Sequence, residues 1–211
     1  MRPIYLISKT PYAGVIHIPI LTISFLTPDI NFDLYEGIVV TSKQGALALG
    51  HYRVNWDKLI VICVGESTAY EMKKLGAKQI ECADGYGASI SDVLHRFSGR
   101  WLYCRPKMIA SSWPSRAKEE GMILDEVIIY ETTCNEGMEK IDIAENGVLI
   151  FTSPSSIECF LQKYSFRSTH DIVVIGKTTQ DALPLGVRSI LSETTSVESC
   201  VEKARELSSN R

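Results

Sequence analysis

Short apolar runs rich in Val and Ile recur along the chain, each breaking off at a hydroxyl residue or a glycine, with amphipathic stretches between them. From residue 37 the alternation is regular. It predicts strand 37–41, helix 43–51, strand 59–64, helix 67–75, strand 78–82, helix 89–97, strand 100–104, helix 112–120 and strand 123–130. A helix near 136–145 is expected next, then strand 147–151, helix 154–164, strand 172–175, helix 178–184, strand 187–191 and a last helix from about 196. Thr195-Ser196-Val197-Glu198 reads as a capping box for that helix, and Ser89-Ile90-Ser91-Asp92 resembles one earlier. Strict alternation of strands and helices implies parallel sheets covered on both faces.

The beginning of the chain is less regular. Residues 2–8 read as a buried strand, Lys9-Thr10-Pro11-Tyr12-Ala13-Gly14 carries turn chemistry, and residues 15–18 are extended again. That gap is too short for an ordinary parallel crossover, so either the two strands pair differently or a helix is missing. Residues 19–28 are apolar, extended and bracketed by Pro19 and Pro28, which marks a connector.

The pattern repeats. Val173-Val174-Ile175-Gly176-Lys177-Thr178-Thr179 follows Ile62-Cys63-Val64-Gly65-Glu66-Ser67-Thr68 after 111 residues, and Thr152-Ser153 follows Thr41-Ser42 at the same offset. Four anchors at one spacing imply a duplicated α/β domain. The second copy holds only three strands and needs the N-terminal ones to complete its sheet. The expected domains are therefore 27–131, continuous, and 1–26 plus 132–211, discontinuous, joined by two connecting strands side by side.

Composition narrows the function. With 211 residues and 45% apolar content the chain can fill two cores, and a net charge of −3 argues against nucleic acid or an anionic membrane as main partner. The first residues hold too short an apolar run for a signal peptide, and no stretch is long enough to span a membrane, so a cytoplasmic location is expected. Cys63, Cys82, Cys104, Cys134, Cys159 and Cys200 show no paired spacing and read as buried reduced thiols rather than a metal or disulfide set. His17, His51, His95 and His170 are equally scattered, so no metal site is expected.

Candidate chemistry gathers at the carboxyl ends of the strands, where open parallel sheets bind ligands. Ser42, Ser67, Thr68, Ser153, Ser155, Thr178 and Thr179 stand there at helix starts, where they suit either capping or an anion. Lys9, Lys43, Arg105, Lys107 and Lys177 lie at the same ends. Lys43 and Lys177 oppose the helix dipole, a placement that a bound anion would explain and that a solvated surface charge also fits. Gly85-Tyr86-Gly87 is too short a match to the dinucleotide fingerprint, and neither a P-loop nor a nucleophilic triad is present. Tyr130, a phenol at a strand end near the second crossing point, can donate a hydrogen bond at neutral pH or can simply pack.

Taken together, Val39-Val40-Thr41-Ser42, Val64-Gly65-Glu66-Ser67-Thr68-Ala69, Val127-Ile128-Ile129-Tyr130-Glu131-Thr132, Phe151-Thr152-Ser153-Pro154-Ser155 and Ile175-Gly176-Lys177-Thr178-Thr179 resemble the uroporphyrinogen-III synthase family over residues 17–208, with Pro19-Ile20-Leu21 similar to its first linker strand. The resemblance implies two flavodoxin-like parallel-sheet domains on a two-stranded linker. It implies a cytoplasmic monomer, in possible transient contact with the preceding pathway enzyme, that closes hydroxymethylbilane with loss of water and inversion of the last ring, using no cofactor. The substrate's carboxylates would be gripped by the hydroxyl and cationic residues named above, with Tyr130 helping the hydroxyl leave. The chain departs from the family at residues 9–16, where members carry a helix, and at Glu66, an acid beside a polyanion. The competing reading is a non-enzymatic two-lobed binding module for a small anionic ligand.

Overall fold

The structure, a computed structural model, describes residues 1–52, 56–84, 87–109 and 111–209, with the backbone alone at 87 and 88. In chain order its elements are β1 (Ile4–Ile7), β2 (Ile16–Ile18), β3 (Leu21–Phe25), β4 (Gly37–Val40), α1 (Lys43–Leu49), β5 (Ile60–Val64), α2 (Glu66–Lys74), β6 (Gln79–Ala83) and α3 (Gly87–Leu94). There follow β7 (Arg100–Pro106), α4 (Trp113–Glu119), β8 (Ile123–Cys134), β9 (Val148–Phe151), α5 (Pro154–Lys163), β10 (Asp171–Val174), α6 (Lys177–Asp181), β11 (Ile190–Leu191) and α7 (Val197–Ser209). Two short 3₁₀ turns, Phe32–Leu34 and Trp56–Lys58, flank β4 and α1. The chain divides into two compact units, one of Met1–Thr22 with Thr133–Arg211 and one of Ile23–Thr132.

In the Ile23–Thr132 unit the sheet order is β3-β8-β7-β4-β5-β6, and the pairs from β6 to β8 are parallel. Numbered from β4, the five parallel strands run 3-2-1-4-5, so the flavodoxin-like order 2-1-3-4-5 is not the one adopted. Strand order reverses at β4 and β7. Side chains alternate across the sheet: Ile38 and Val40 of β4 pack with Ala46, Leu49 and Met72 on the α1/α2 side, while Val39 packs with Ile90, Trp101 and Trp113 on the α3/α4 side. Gly37 admits no larger residue, because a Cβ there would lie 2.2 Å from the Trp101 ring and 2.5 Å from the Ile60 carbonyl oxygen.

The other unit carries the order β11-β10-β9-β1-β2, all parallel, which is the same 3-2-1-4-5 arrangement begun at β9 and completed by the N-terminal strands. Tyr5, Ile7, Leu149 and Phe151 face α5, and Ile4, Leu6, Val148 and Ile150 face α7.

Several expectations are corrected. No helix forms near 136–145, because other side chains satisfy that backbone. Lys163 Nζ donates to the carbonyls of Asn135, Glu136 and Met138 at 2.9, 2.9 and 3.2 Å, while the N–H groups of Ile141 and Ala144 donate to the hydroxyls of Tyr164 and Tyr5, each at 3.0 Å. β1 and β2 pair in parallel despite their short connection, since Tyr12 and Val15 cover the β1 face in place of a helix. The six cysteines are not all reduced: Cys134 and Cys159 form a disulfide, and Cys82 is exposed. The last helix is capped by Ser196, whose Oγ accepts the Ser199 N–H at 3.1 Å, one residue beyond the expected Thr195. Ser89 lies inside α3 rather than at its cap. The Gly85-Tyr86 part of the glycine-rich turn falls outside the described residues.

Candidate functional site

In the Ile23–Thr132 unit a cavity of about 270 Å³ opens at the carboxyl ends of the strands, where the strand order reverses. Thr41 and Ser42 after β4, Val64 at the end of β5, Tyr103 and Pro106 of β7, and Tyr130 of β8 line it, with Ile90, Met108, Ile109, Ser111 and Trp113. Larger hollows of about 410 and 540 Å³ lie in the other unit beside residues 165–172, at the amino ends of its strands. That is the wrong end of a parallel sheet for a ligand, and Lys163 there is spent on three carbonyls.

The cavity owes its polar floor to two hydroxyl pairs. Ser42, two residues past β4, is extended and caps α1, its Oγ accepting the Gly45 N–H at 3.0 Å. The same Oγ stands 2.8 Å from the Tyr130 hydroxyl. A hydroxyl holds one proton and two lone pairs. With Gly45 already donating to it, Ser42 can pass its proton to the Tyr130 oxygen and leave the phenol proton free for the cavity. Burial pushes the Tyr130 phenol above its ordinary range, and the Ser42 hydrogen bond draws it partly back. Tyr130 is therefore a neutral donor at physiological pH.

Thr41 and Tyr103 form the second pair, with Thr41 Oγ1 and the Tyr103 hydroxyl 2.9 Å apart. The Tyr103 ring tilts against Trp113 with centroids 4.7 Å apart. Burial raises this phenol too, while the hydrogen bond with Thr41 lowers it. Neither Tyr103 nor Trp113 is singled out by the sequence motifs. The available signal was topological: β7 is the other side of the switch point from Thr41-Ser42.

Of the remaining sequence candidates, Ser67 and Thr178 are exposed, whereas Thr68 and Thr179 are buried, only 2% and 3% exposed. Ser153 repeats the Ser42 cap with φ −165° and ψ 158°, and its capping box closes with Ser156, leaving the half-buried Ser155 outside it. The glycine motif repeats less well. Gly65 adopts φ +77°, a conformation suited to glycine, while Gly176 at φ −175° is ordinary extended backbone.

The cations have internal partners. Lys43 Nζ lies 3.1 Å from Glu71 Oε1, so the anion near this helix start belongs to α2. Lys177 pairs with Asp181 at 2.8 Å and Lys107 with Glu131 at 2.8 Å. Arg105 Nε lies 2.8 Å from Glu126 Oε2, too oblique for a hydrogen bond, and Arg105 Nη1 donates to the carbonyls of Pro106 and Lys107. Lys9 stands after β1, at the switch point of the other unit. Glu66 is exposed in the first turn of α2, where the dipole favours an acid. Among the described residues no cluster of His, Cys, Asp and Glu has the makings of a metal site, and no helix is long and apolar enough to cross a membrane.

Comparison with known proteins ties this arrangement to a family. The chain resembles the solved uroporphyrinogen-III synthetase of Helicobacter pylori, with a TM-score of 0.83 and 21% identity over 98% of this chain and 100% of that one. It also resembles a mutant uroporphyrinogen III synthase of the extremely thermophilic bacterium Thermus thermophilus, with a TM-score of 0.61 and 13% identity over 94% of this chain and 91% of that one. Identities this low speak for the fold alone. No match was found among curated proteins. The family model for uroporphyrinogen-III synthase HemD, however, matches residues 11–202, nearly the whole length over which the repeat and the strand-end motifs extend. This chain belongs to the uroporphyrinogen-III synthase family.

Proposed function

We propose that this protein is a hydro-lyase that closes hydroxymethylbilane to uroporphyrinogen III, with loss of water and inversion of the terminal ring. The observation that carries this reading beyond family membership is the Ser42–Tyr130 pair at 2.8 Å on the switch-point cavity. The hydroxymethyl C–O bond breaks with its electron pair going to oxygen. Tyr130 supplies the proton, so the group leaves as water, while the pyrrole nitrogen lone pair fills in behind it. Loss of the N–H proton to solvent gives the azafulvene, and a proton taken up from solvent restores Tyr130. The terminal ring then attacks the exocyclic carbon through its substituted position to form a spiro intermediate, which opens and re-closes with that ring inverted.

Directing this closure requires a flexible linear chain to be held in one reactive conformer, a task of positioning rather than of strong nucleophiles. The exposed or half-buried hydroxyls Ser67, Ser153, Ser155 and Thr178, and the surface cations Lys107 and Lys177, suit the substrate's eight carboxylates as hydrogen-bond and charge partners. The protein is expected to work without a cofactor, as a cytoplasmic monomer. Incubation with freshly generated hydroxymethylbilane, followed by oxidation and resolution of the porphyrin isomers, tests the proposal. The type III isomer should dominate. Type I alone, formed at the spontaneous rate, would end the synthase reading and leave the non-enzymatic binding module.

A further inference from the structure

Two tyrosines reach the switch-point cavity, and Tyr130 is one of them. The second comes from the opposite layer. Tyr130 belongs to the core cluster on the α1/α2 side of the sheet, whereas Tyr103 belongs to the cluster on the α3/α4 side, with Ile90, Val93 and Trp113. The two hydroxyls meet consecutive residues, Ser42 and Thr41, where the sheet ends and its two helix layers part. β7 and β8 set this spacing: Tyr103 pairs with Glu126, and after an irregularity at Arg105/Pro106 it is Pro106 that stands beside Tyr130. The cavity therefore has two separate hydroxyl pairs on its floor and apolar side chains, Val64, Ile90, Pro106 and Trp113, around them.

Such a lining suits an uncharged ring better than a carboxylate. Among the described residues the cavity lining holds no cation: Lys43, Arg105 and Lys107 stand at these strand ends but outside the cavity, facing Glu71, Glu126 and Glu131. In a hydroxyl pair one oxygen donates and the other keeps its own proton, so the pair can both accept a hydrogen bond and donate one. A pyrrole N–H needs an acceptor and offers an apolar face to Trp113 and Ile90. We propose that the Thr41–Tyr103 pair is a specificity-determining contact: it accepts the N–H of the pyrrole ring whose hydroxymethyl group faces Tyr130, and so holds the reacting carbon over the substituted rather than the free α-carbon of the terminal ring. Tyr130 governs how fast the hydroxyl leaves. Tyr103 governs which isomer forms.

The inference rests on the synthase reading, and isomer analysis at rising enzyme concentration separates the two. A variant that is merely slow lets free substrate close spontaneously, and its type I share falls to zero once enzyme exceeds substrate. A variant with lost fidelity makes type I on the enzyme, so that share persists. Tyr103→Phe, which keeps the ring against Trp113, should retain a type I share of roughly a tenth or more at enzyme excess, as loss of one directing hydrogen bond allows. Thr41→Val should show the same persistence should Tyr103→Phe fail to fold. Tyr130→Phe should behave as a slow variant, with its type I share extrapolating to zero. Extrapolation to zero in both Tyr103→Phe and Thr41→Val overturns the assignment. A wild-type protein that yields type I alone removes the synthase reading itself, and this inference with it.

Discussion

The Ser42 side chain holds two positions at once: its Oγ takes the Gly45 N–H at 3.0 Å and lies 2.8 Å from the Tyr130 hydroxyl, so one residue both starts α1 and sets the direction of the phenol proton. Removing either partner should have separable effects. Tyr130→Phe should lower kcat by about tenfold, the worth of one hydrogen bond made mainly in the transition state, with little change in KM. The pyrrole nitrogen already drives departure of the hydroxyl, which is why a larger loss is not expected. Ser42→Ala should slow turnover less but lower stability by ~1 kcal/mol through the lost cap. Full activity in Tyr130→Phe, measured at saturating substrate, would remove the proton-donor role.

Lys43 and Lys177 each open a helix after a strand, at different places in the repeat, and have unequal partners. The Glu71 carboxylate facing Lys43 is only 9% exposed, whereas Asp181 facing Lys177 is 61% exposed. An exposed i,i+4 pair is worth little and can be given up to a ligand. Lys177→Met should therefore raise KM severalfold and leave the melting temperature unchanged. Lys43→Met strands a nearly buried acid with Lys74 alone, so it should lower the melting temperature and affect KM less. The reverse pattern in steady-state kinetics and thermal melts would disprove this division.

The sequence exposed those features that local pattern controls. Val and Ile runs ending at Thr41-Ser42 and Thr152-Ser153 marked two sheets, and the constant spacing to Gly65 and Gly176 marked their kinship. Strand order did not follow, because it depends on which helix crosses which face. The loop at 136–145 was misread for a physical reason: Met138, Ile141 and Ala144 have helical spacing, yet Lys163, Tyr5 and Tyr164 satisfy the backbone from far along the chain. Tyr103 was missed on the same grounds, since its meeting with Thr41 spans 62 residues and leaves no trace in either motif.

His170 gives the protein an acid sensitivity above the carboxylate range. It is 9% exposed, its Nδ1 accepts the Arg167 N–H at 3.2 Å, and its Nε2 faces the Ala144 carbonyl at 3.3 Å, so the neutral Nε2–H form fits the site. Desolvation is the main cause holding its pKa below the ordinary 6.5, with Arg167 and Arg2 adding to it and the bond to Ala144 opposing. The unfolded chain then binds a proton that the folded chain does not, so stability is full above about pH 6.5 and declines as pH falls below it. Urea midpoints measured between pH 7 and 5 should fall for the wild type and stay flatter for His170→Gln, which keeps a donor for Ala144. Parallel slopes would rule His170 out as the source.

The Cys134–Cys159 bond anchors the end of β8 to α5. Cys134 lies just inside the unit that begins again at Thr133, and Cys159 packs with Phe151 and Phe160 in its core, 25 residues further on. Closing a loop of that size restricts the unfolded chain and should contribute ~3 kcal/mol. Burial pushes the thiols of Cys63, Cys104 and Cys200 up, so labelling has to be done on unfolded protein. Alkylation in denaturant without reductant should add four labels, at Cys63, Cys82, Cys104 and Cys200, and prior reduction should raise the total to six. The double variant Cys134→Ser/Cys159→Ser should melt earlier than the oxidised wild type and at a temperature insensitive to reductant. Six labels without reductant would show both thiols free and would withdraw the covalent contribution to this unit.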